Sequence, residues 1–298
     1  MSKSRRRIFF NKITNVVKPY LPDSFKEIGV TKTVQVRTVI GKPRALPDFI
    51  IIGAQRSGST SLYNYLAAHP SVSPTLHKEI HFFDQYFDRG IEWYKAHFDS
   101  VDYVKSHNLI TGEASPYYIL DQDVPEKIAR LIPRVKLIAL LRNPINRAYS
   151  HHNTRYKYGE ESLIFEEAIK KEIDAFRRYN GNGYHAFLQS YETIPYLSRC
   201  IYADQLEPWM KVFPKEQLLV LRSEDLYMDT SNTYKEVLQF LNLPLWEPKN
   251  YPAHERMQYA PMSMEARKQL IEFFTPHNER LYKMLDRDMR WDRRGAPR

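Results

Sequence analysis

The stretch that decides the fold is "DFIIIGAQRSGSTSLYNYLAAHP", residues 48–70. Four apolar residues, Phe49 to Ile52, form a run fit for a buried strand. Gly53 and Gly58 frame a turn, and a helical pattern starts near Thr60. A phosphate-binding loop has the form G-x-x-x-x-G-K-[ST]. Gly53, Gly58 and Thr60 satisfy it, but Ser59 stands where the lysine belongs, and a positive charge appears inside the loop at Arg56. Glycines at these two places let backbone N–H groups turn inward as an anion nest, with the positive end of a helix dipole behind them. Ser57, Gly58, Ser59, Thr60 and Ser61 supply amides and hydroxyls, and Arg56 supplies fixed charge. An ordinary strand-to-helix turn capped by Ser and Thr carries the same residue types. The strand–turn–helix context favours the anion site, and the missing lysine weakens an ATPase or GTPase reading.

Outward from this stretch, short apolar segments alternate with helical ones. Strands are expected at 49–53, 108–112, 135–141 and 217–222. Helices are expected at 60–68, 124–131, 145–158, 161–177, 194–212, 231–241 and 263–285. Unalternating strands imply helices on both faces, so the expected fold is α/β, with a P-loop-like central parallel sheet flanked by helices. The division is a 1–46 N-terminal extension and one domain over 47–298. Within the extension, Val34, Val36, Thr38 and Ile40 alternate as in an edge strand. Ile8, Phe9, Ile13, Val16, Val17 and Tyr20 form a helical stripe beside Arg5, Arg6 and Arg7. Such a stripe rests either on its own domain or on a membrane surface.

The chain has 298 residues, 43% of them hydrophobic, enough for a sizeable core. Lys and Arg number 44 against 35 Asp and Glu, a net charge of +9 that suits anionic partners. Cys200 is the lone cysteine, no Asn-x-Ser/Thr sequon occurs, and no run approaches the ~20 apolar residues of a membrane span. A cytoplasmic location is expected.

Ligands of an open parallel sheet sit beyond the carboxyl ends of its strands. Two further segments bring chemistry there. In "LIALLRNPINRAYSHH", Arg142 ends a buried strand, where a charge is costly unless it meets an anion, and Ser150 follows about two turns into the next helix. A salt bridge would satisfy Arg142 equally well. In "HKEIHFFDQYF", residues 77–87, Glu79 and His81 share one face if the backbone is extended, with Ile80 inward. A carboxylate beside an imidazole suits general-base work on a hydroxyl or amine. His77 and His81, at i and i+4, also mimic half of a zinc site, but the glutamate is misplaced and no third ligand is evident. A polar surface turn would account for the same spacing.

Taken in order, "IIIGAQRSGSTSLYNYLAAHP", "KEIHFFD", "GEASPYY", "LLRNPINRAYSHH" and "LLVLRSEDL" resemble the sulfotransferases that use 3′-phosphoadenosine 5′-phosphosulfate (PAPS), above all the heparan sulfate N- and O-sulfotransferase type. The resemblance runs from about Asp48 to Trp291. It implies that the 53–61 loop is the 5′-phosphosulfate loop, with Arg56 at the family's lysine position, and that Arg142 and Ser150 hold the 3′-phosphate. It makes Glu79 the catalytic base, with His81 and Asp84 as polar groups around it, and it requires no metal. Burial among Phe82 and Phe83 is expected to raise the Glu79 pKa. Three departures stand out. Ala114 replaces a lysine of several heparan sulfate enzymes, the C-terminal cofactor loop is not recognisable and leaves Arg256 as its substitute, and Cys200 alone cannot form the disulfide of some animal members. With no Golgi anchor recognised, a soluble, bacterial-type member is expected. Its partner would be a small-molecule or glycan acceptor, glycolipid included, rather than nucleic acid. A P-loop kinase or NTPase, which calls for a lysine at 59, and a non-catalytic nucleotide-binding protein are the competing expectations.

Overall fold

The structure, a computed structural model, describes residues 23–39, 41–179, 183–252 and 259–291. Five parallel strands form one sheet in the order β2-β3-β1-β4-β5: β1 (Phe49–Gly53), β2 (Val72–Pro74), β3 (Ile110–Ala114), β4 (Lys136–Leu141) and β5 (Leu218–Arg222). The central strand β1 pairs with β3 through Phe49 opposite Gly112 and with β4 through Phe49 opposite Lys136. All five residues of β1 are buried. Its alternate side chains feed two different cores. Ile50 and Ile52 join Ile128, Leu206 and Trp209, whereas Phe49 and Ile51 join Leu62, Leu66, Tyr234 and Leu238. Helices α5 (Val124–Leu131) and α9 (Tyr202–Val212) therefore cover one face. Helices α2 (Ser59–Ala68) and α11 (Thr230–Leu241) cover the other. Each such aliphatic side chain contributes about 1.5–3 kcal/mol by leaving water. A third apolar cluster joins α6 (Pro144–Lys157), α7 (Phe165–Arg178) and α12 (Met264–Leu285) through Ile145, Ile169, Leu270 and Phe274.

Three expectations are corrected. The alternating segment from Val34 is not an edge strand: helix α1 spans Asp23–Val39, and Ile40 lies outside the described residues. Val34 is buried, Val30 and Arg37 are half-buried, and Val36 and Val39 are exposed, which is a helical spacing rather than a period of two. The Arg37 guanidinium fixes that face by donating to the carbonyls of Ala96 and Phe98, at the end of α3 (Ile91–Lys95). Strand β3 starts two residues later than expected, because Asn108 takes a left-handed conformation and the Leu109 N–H closes onto Val104 of α4 (Val101–Ser106). The helix expected over 194–212 begins only at Tyr202. The buried Glu172 carboxylate accepts the N–H groups of Tyr196, Leu197 and Ser198 at 2.7–2.9 Å, diverting them from helical bonds. Four short helices fall outside the expected ones: α3, α4, α8 (Tyr184–Ser190) and α10 (Ser223–Met228), which follows β5 directly. Among the described residues no helix is long and apolar enough to cross a membrane. The N-terminal stripe from Ile8 to Tyr20 and its arginines lie outside the described residues.

Candidate active site

The loop after β1 has the geometry of an anion cradle. Gly58 sits at φ +97°, and a Cβ there would lie 2.8 Å from the Tyr227 hydroxyl, so only glycine fits. Gly58 is the N-cap of α2 and supplies no side-chain cap, and the first turn of α2 holds no acidic residue. Its leading N–H groups therefore remain open to an anion. Arg56 is itself left-handed, at φ +67°. Ser57 is fully buried. Its carbonyl accepts the Ser223 hydroxyl at 2.7 Å, but its own hydroxyl has no partner among the described residues. A buried hydroxyl in that state costs about 1–3 kcal/mol unless a ligand satisfies it. Ser59 is buried at the helix start and Thr60 is half-buried beside it. Ser61 faces inward, and its hydroxyl bonds to that of Tyr65.

The residues that follow β4 converge on this loop. Arg142 Nη1 donates to the Arg56 carbonyl at 3.1 Å, and Arg56 Nε donates to the Ser150 hydroxyl at 3.4 Å. Arg142 and Ser150, two helical turns apart in sequence, thus meet around Arg56. The entry of α6 is fixed by Asn143, whose side chain caps the N–H groups of Ile145 and Asn146, and by Pro144 at the first helical position. One turn on, Arg147 is 1% exposed and donates to the carbonyls of Gln55 and Tyr196 and to the Cys200 sulfur. No carboxylate accompanies it among the described residues, so its charge adds to the positive field under the loop.

The segment 78–84 forms the opposite wall. It is not extended: Glu79 and His81 both take left-handed conformations, at φ +59° and +54°. Two bonds to the end of β3 hold this shape, Glu79 N–H to the Ala114 carbonyl at 3.0 Å and His81 N–H to the Ser115 hydroxyl at 3.3 Å. Ile80 still points inward. Two left-handed residues flanking a buried one bring Glu79 and His81 together, with His81 Nε2 at 3.7 Å from Glu79 Oε2. His81 Nδ1–H donates to Asp84 at 2.9 Å. Burial works against the imidazolium, but the Asp84 and Glu79 carboxylates outweigh it and raise its pKa to about 10. Burial likewise pushes the Glu79 carboxyl up. His81 and Lys78 reverse that push and hold it below the ordinary glutamate value. The expected upward shift is therefore corrected. Phe82 and Phe83 do not wall the carboxylate either; they are buried in an aromatic core, where Phe82 stacks on Tyr94 at 4.6 Å.

Lys78 is the group the sequence reading passed over. Its ammonium pairs with Glu79 Oε1 at 3.1 Å and also donates to the Thr60 hydroxyl, in the first turn of the cradle helix. The lysine missing from position 59 is thus replaced in space by one arriving from another loop. Tyr117 was also missed. Its ring meets His81 edge-on at 5.7 Å, and its hydroxyl accepts from Arg199 at 3.2 Å and Arg155 at 3.4 Å. Glu113, fully buried, accepts from Tyr94, Tyr118 and Ser115, and burial raises its pKa. It anchors Ser115, and through it His81, from behind. Arg256 lies outside the described residues. No group of three His, Cys, Asp or Glu is placed to hold a metal among the described residues.

Comparison with known proteins agrees with this geometry. A family model described as a sulfotransferase domain matches residues 46–280. A membrane-associated sulfotransferase of Dictyostelium discoideum is 29% identical over 85% of this chain, which spans 68% of that relative. A human bifunctional heparan sulfate N-deacetylase/N-sulfotransferase is 29% identical over 80% of this chain, which spans 30% of it. The crystal structure of a sulfotransferase from Alicyclobacillus acidocaldarius superposes with a TM-score of 0.61 at 26% identity, over 84% of this chain and 100% of that one. Nothing in these relationships supports a kinase. With a five-stranded parallel sheet, an anion cradle after its central strand and a family match over most of its length, the chain belongs to the sulfotransferases.

Proposed function

We propose that this sulfotransferase takes its sulfuryl group from PAPS, held on the 54–61 loop, and passes it to a hydroxyl or amine of a glycan, glycolipid or small metabolite. The observation that carries this reading is Lys78, which touches both the Glu79 carboxylate and the Thr60 hydroxyl and so ties the base to the anion loop in one unit. The cradle fits such a donor. The open N–H groups of α2, the partnerless Ser57 hydroxyl and Arg56 suit the 5′-phosphosulfate, and Arg142 with Ser150 suits the 3′-phosphate. PAPS supplies the sulfuryl group together with a nucleotide bisphosphate leaving group.

The chain's own residues would act as follows. Glu79, with 36% of its side chain accessible, is within reach of an incoming acceptor and takes its proton. Its lowered pKa keeps it ionised at neutral pH, at some cost in basicity. The His81 imidazolium, oriented by Asp84, stabilises the Glu79 charge before the proton arrives. Lys78 and the loop amides oppose the negative charge that grows on the departing side, a role typically worth a few kcal/mol per donor.

Calorimetry with the desulfated nucleotide, 3′-phosphoadenosine 5′-phosphate (PAP), with and without magnesium, tests the cradle. Tight, magnesium-independent binding is expected. Binding of ATP only with magnesium, and none of PAP, would contradict it.

A further inference from the structure

Beside the candidate active site lies a cavity of about 750 Å³, between α6, α7, α8 and the 191–199 segment. That volume suits a small molecule rather than a polymer groove. Its wall includes Arg155 and Arg199, the two residues whose guanidinium groups meet on the Tyr117 hydroxyl. Tyr117 in turn packs against His81, which faces Glu79, so two rings, those of Tyr117 and His81, link the cavity wall to the base.

Arg199 is the conspicuous group. It pairs with no carboxylate among the described residues, and its buried Nε has no partner there. Among the described residues it donates to the Tyr117 hydroxyl and lies over the Tyr117 ring. A neutral phenol at 3.2 Å is a weak partner for a guanidinium, and a carboxylate, sulfate or phosphate oxygen is a much stronger one. The surrounding field is positive as well. His151, 1% exposed, is held well below its usual pKa by burial and then by Arg147, Arg199, Arg155 and Arg56. Acidic groups also line the cavity, and they limit the charge it will accept. Glu160 is paired with Arg155, Glu161 accepts the Tyr196 hydroxyl at 3.0 Å and the N–H groups of Ser162 and Leu163, and the exposed Glu192 is offset by the exposed Lys171. Three cations and three carboxylates thus line the cavity, and Arg199 is a cation among them that makes no ion pair among the described residues.

Resting on the sulfotransferase reading above, we infer that this cavity is the acceptor pocket and that it takes a small hydroxyl compound bearing a single anionic group, which binds Arg199 in company with Arg155. A densely charged polyanion is disfavoured, because the three glutamates repel each further negative charge. Arg199 is then a specificity-determining residue: it reads the acceptor's charge, while Glu79 performs the proton transfer.

The test uses two matched pairs of acceptors: 4-nitrophenyl glucuronide against 4-nitrophenyl glucoside, and 4-hydroxyphenylacetate against 4-hydroxyphenylethanol. Binding to the PAP-loaded enzyme and KM at saturating PAPS are both measured. The anionic member of a pair is expected to bind roughly tenfold or more tightly, as a charge-assisted bond predicts. Arg199→Ala should bring that ratio close to one, and Arg199→Lys should retain part of it. A heparan sulfate hexasaccharide should bind no better than the glucuronide. Equal binding within both pairs, a ratio that survives Arg199→Ala in a PAP-binding protein, a preference for the hexasaccharide, or PAP binding with no binding of any small acceptor would overturn the inference. Failure of PAP itself to bind would instead overturn the sulfotransferase reading on which it rests.

Discussion

His81 Nε2 stands 3.7 Å from Glu79 Oε2 while His81 Nδ1 stands 2.9 Å from Asp84, so one imidazolium bridges two carboxylates. Its pKa, raised to about 10, keeps it charged throughout the neutral range. The raised value means the fold gains from this charge fully below the ordinary histidine pKa near 6.5, and loses that gain as pH climbs through about 10. Glu79 has the opposite sign. Its lowered pKa stabilises the fold above its ordinary value of 4.5, and the gain is lost as pH falls through the lowered value. The pH profile of kcat/KM should therefore show no inflection between pH 6 and 8 from either group, and an acid limb below 4.5. His81→Asn should move that acid limb upward, since burial then acts on Glu79 with less to oppose it. An NMR titration in which His81 changes protonation near 6.5 would contradict the pairing.

Glu79→Gln preserves size and removes the proton acceptor. Turnover is expected to fall roughly 10²- to 10⁴-fold, the usual contribution of a general base. PAP affinity should stay within a few-fold, since the loop amides and Arg142 are untouched. Single-turnover kinetics alongside calorimetry separates the two. A parallel loss of PAP binding would move Glu79 from base to nucleotide anchor.

Arg142 donates to the carbonyl of Arg56, whose own side chain donates to Ser150. Arg142→Ala should weaken nucleotides bearing a 3′-phosphate by about 1.5–3 kcal/mol, the range for bonds to charged groups. Adenosine 5′-phosphosulfate, which lacks that phosphate, should be affected far less. Comparable losses for both would place the 3′-phosphate elsewhere.

Gly58→Ala puts a methyl group 2.8 Å from the Tyr227 hydroxyl and forces alanine to φ +97°. The strain costs about 1–3 kcal/mol, visible as a lower denaturation midpoint. Nucleotide affinity should fall as well, because relief of the strain re-aims the N–H groups of the cradle. Gly90→Ala, also at positive φ but in open space, supplies the control: it should lower stability through the backbone while PAP affinity is retained.

Much of this was legible in the sequence, for physical reasons. β1 and β4 are unbroken apolar runs because helices cover both faces of the sheet, and their ends mark the two loops that carry Arg56 and Arg142. Gly58 announces the cradle because left-handed backbone has few alternatives, whereas Gly53 is kept small by Ile119, 2.6 Å from where its Cβ would stand. What stayed hidden depends on contacts between distant segments. Lys78 carries no local signal, and only the fold brings it to Thr60. Tyr117 lies in the quoted "GEASPYY" stretch, but its meaning comes from Arg155 and Arg199, more than thirty residues away. The Glu79 pKa was misjudged because neighbouring Phe82 and Phe83 turn into the core, leaving Lys78 and His81 to set its charge. The last turns of the helix Asp23–Val39 read as a strand because Val34, Val36 and Thr38 are β-branched residues that happen to alternate.

The most direct measurement is mass spectrometry of acceptors incubated with the protein and PAPS, in the presence of a metal chelator. A gain of one sulfo group on a hydroxyl compound is predicted for the wild-type chain, and its disappearance in Glu79→Gln while that variant still binds PAP. Transfer that persists undiminished in Glu79→Gln, or a protein that binds no PAP at all, would contradict the claim that the loop after β1 and the Glu79 carboxylate form one sulfuryl-transfer site.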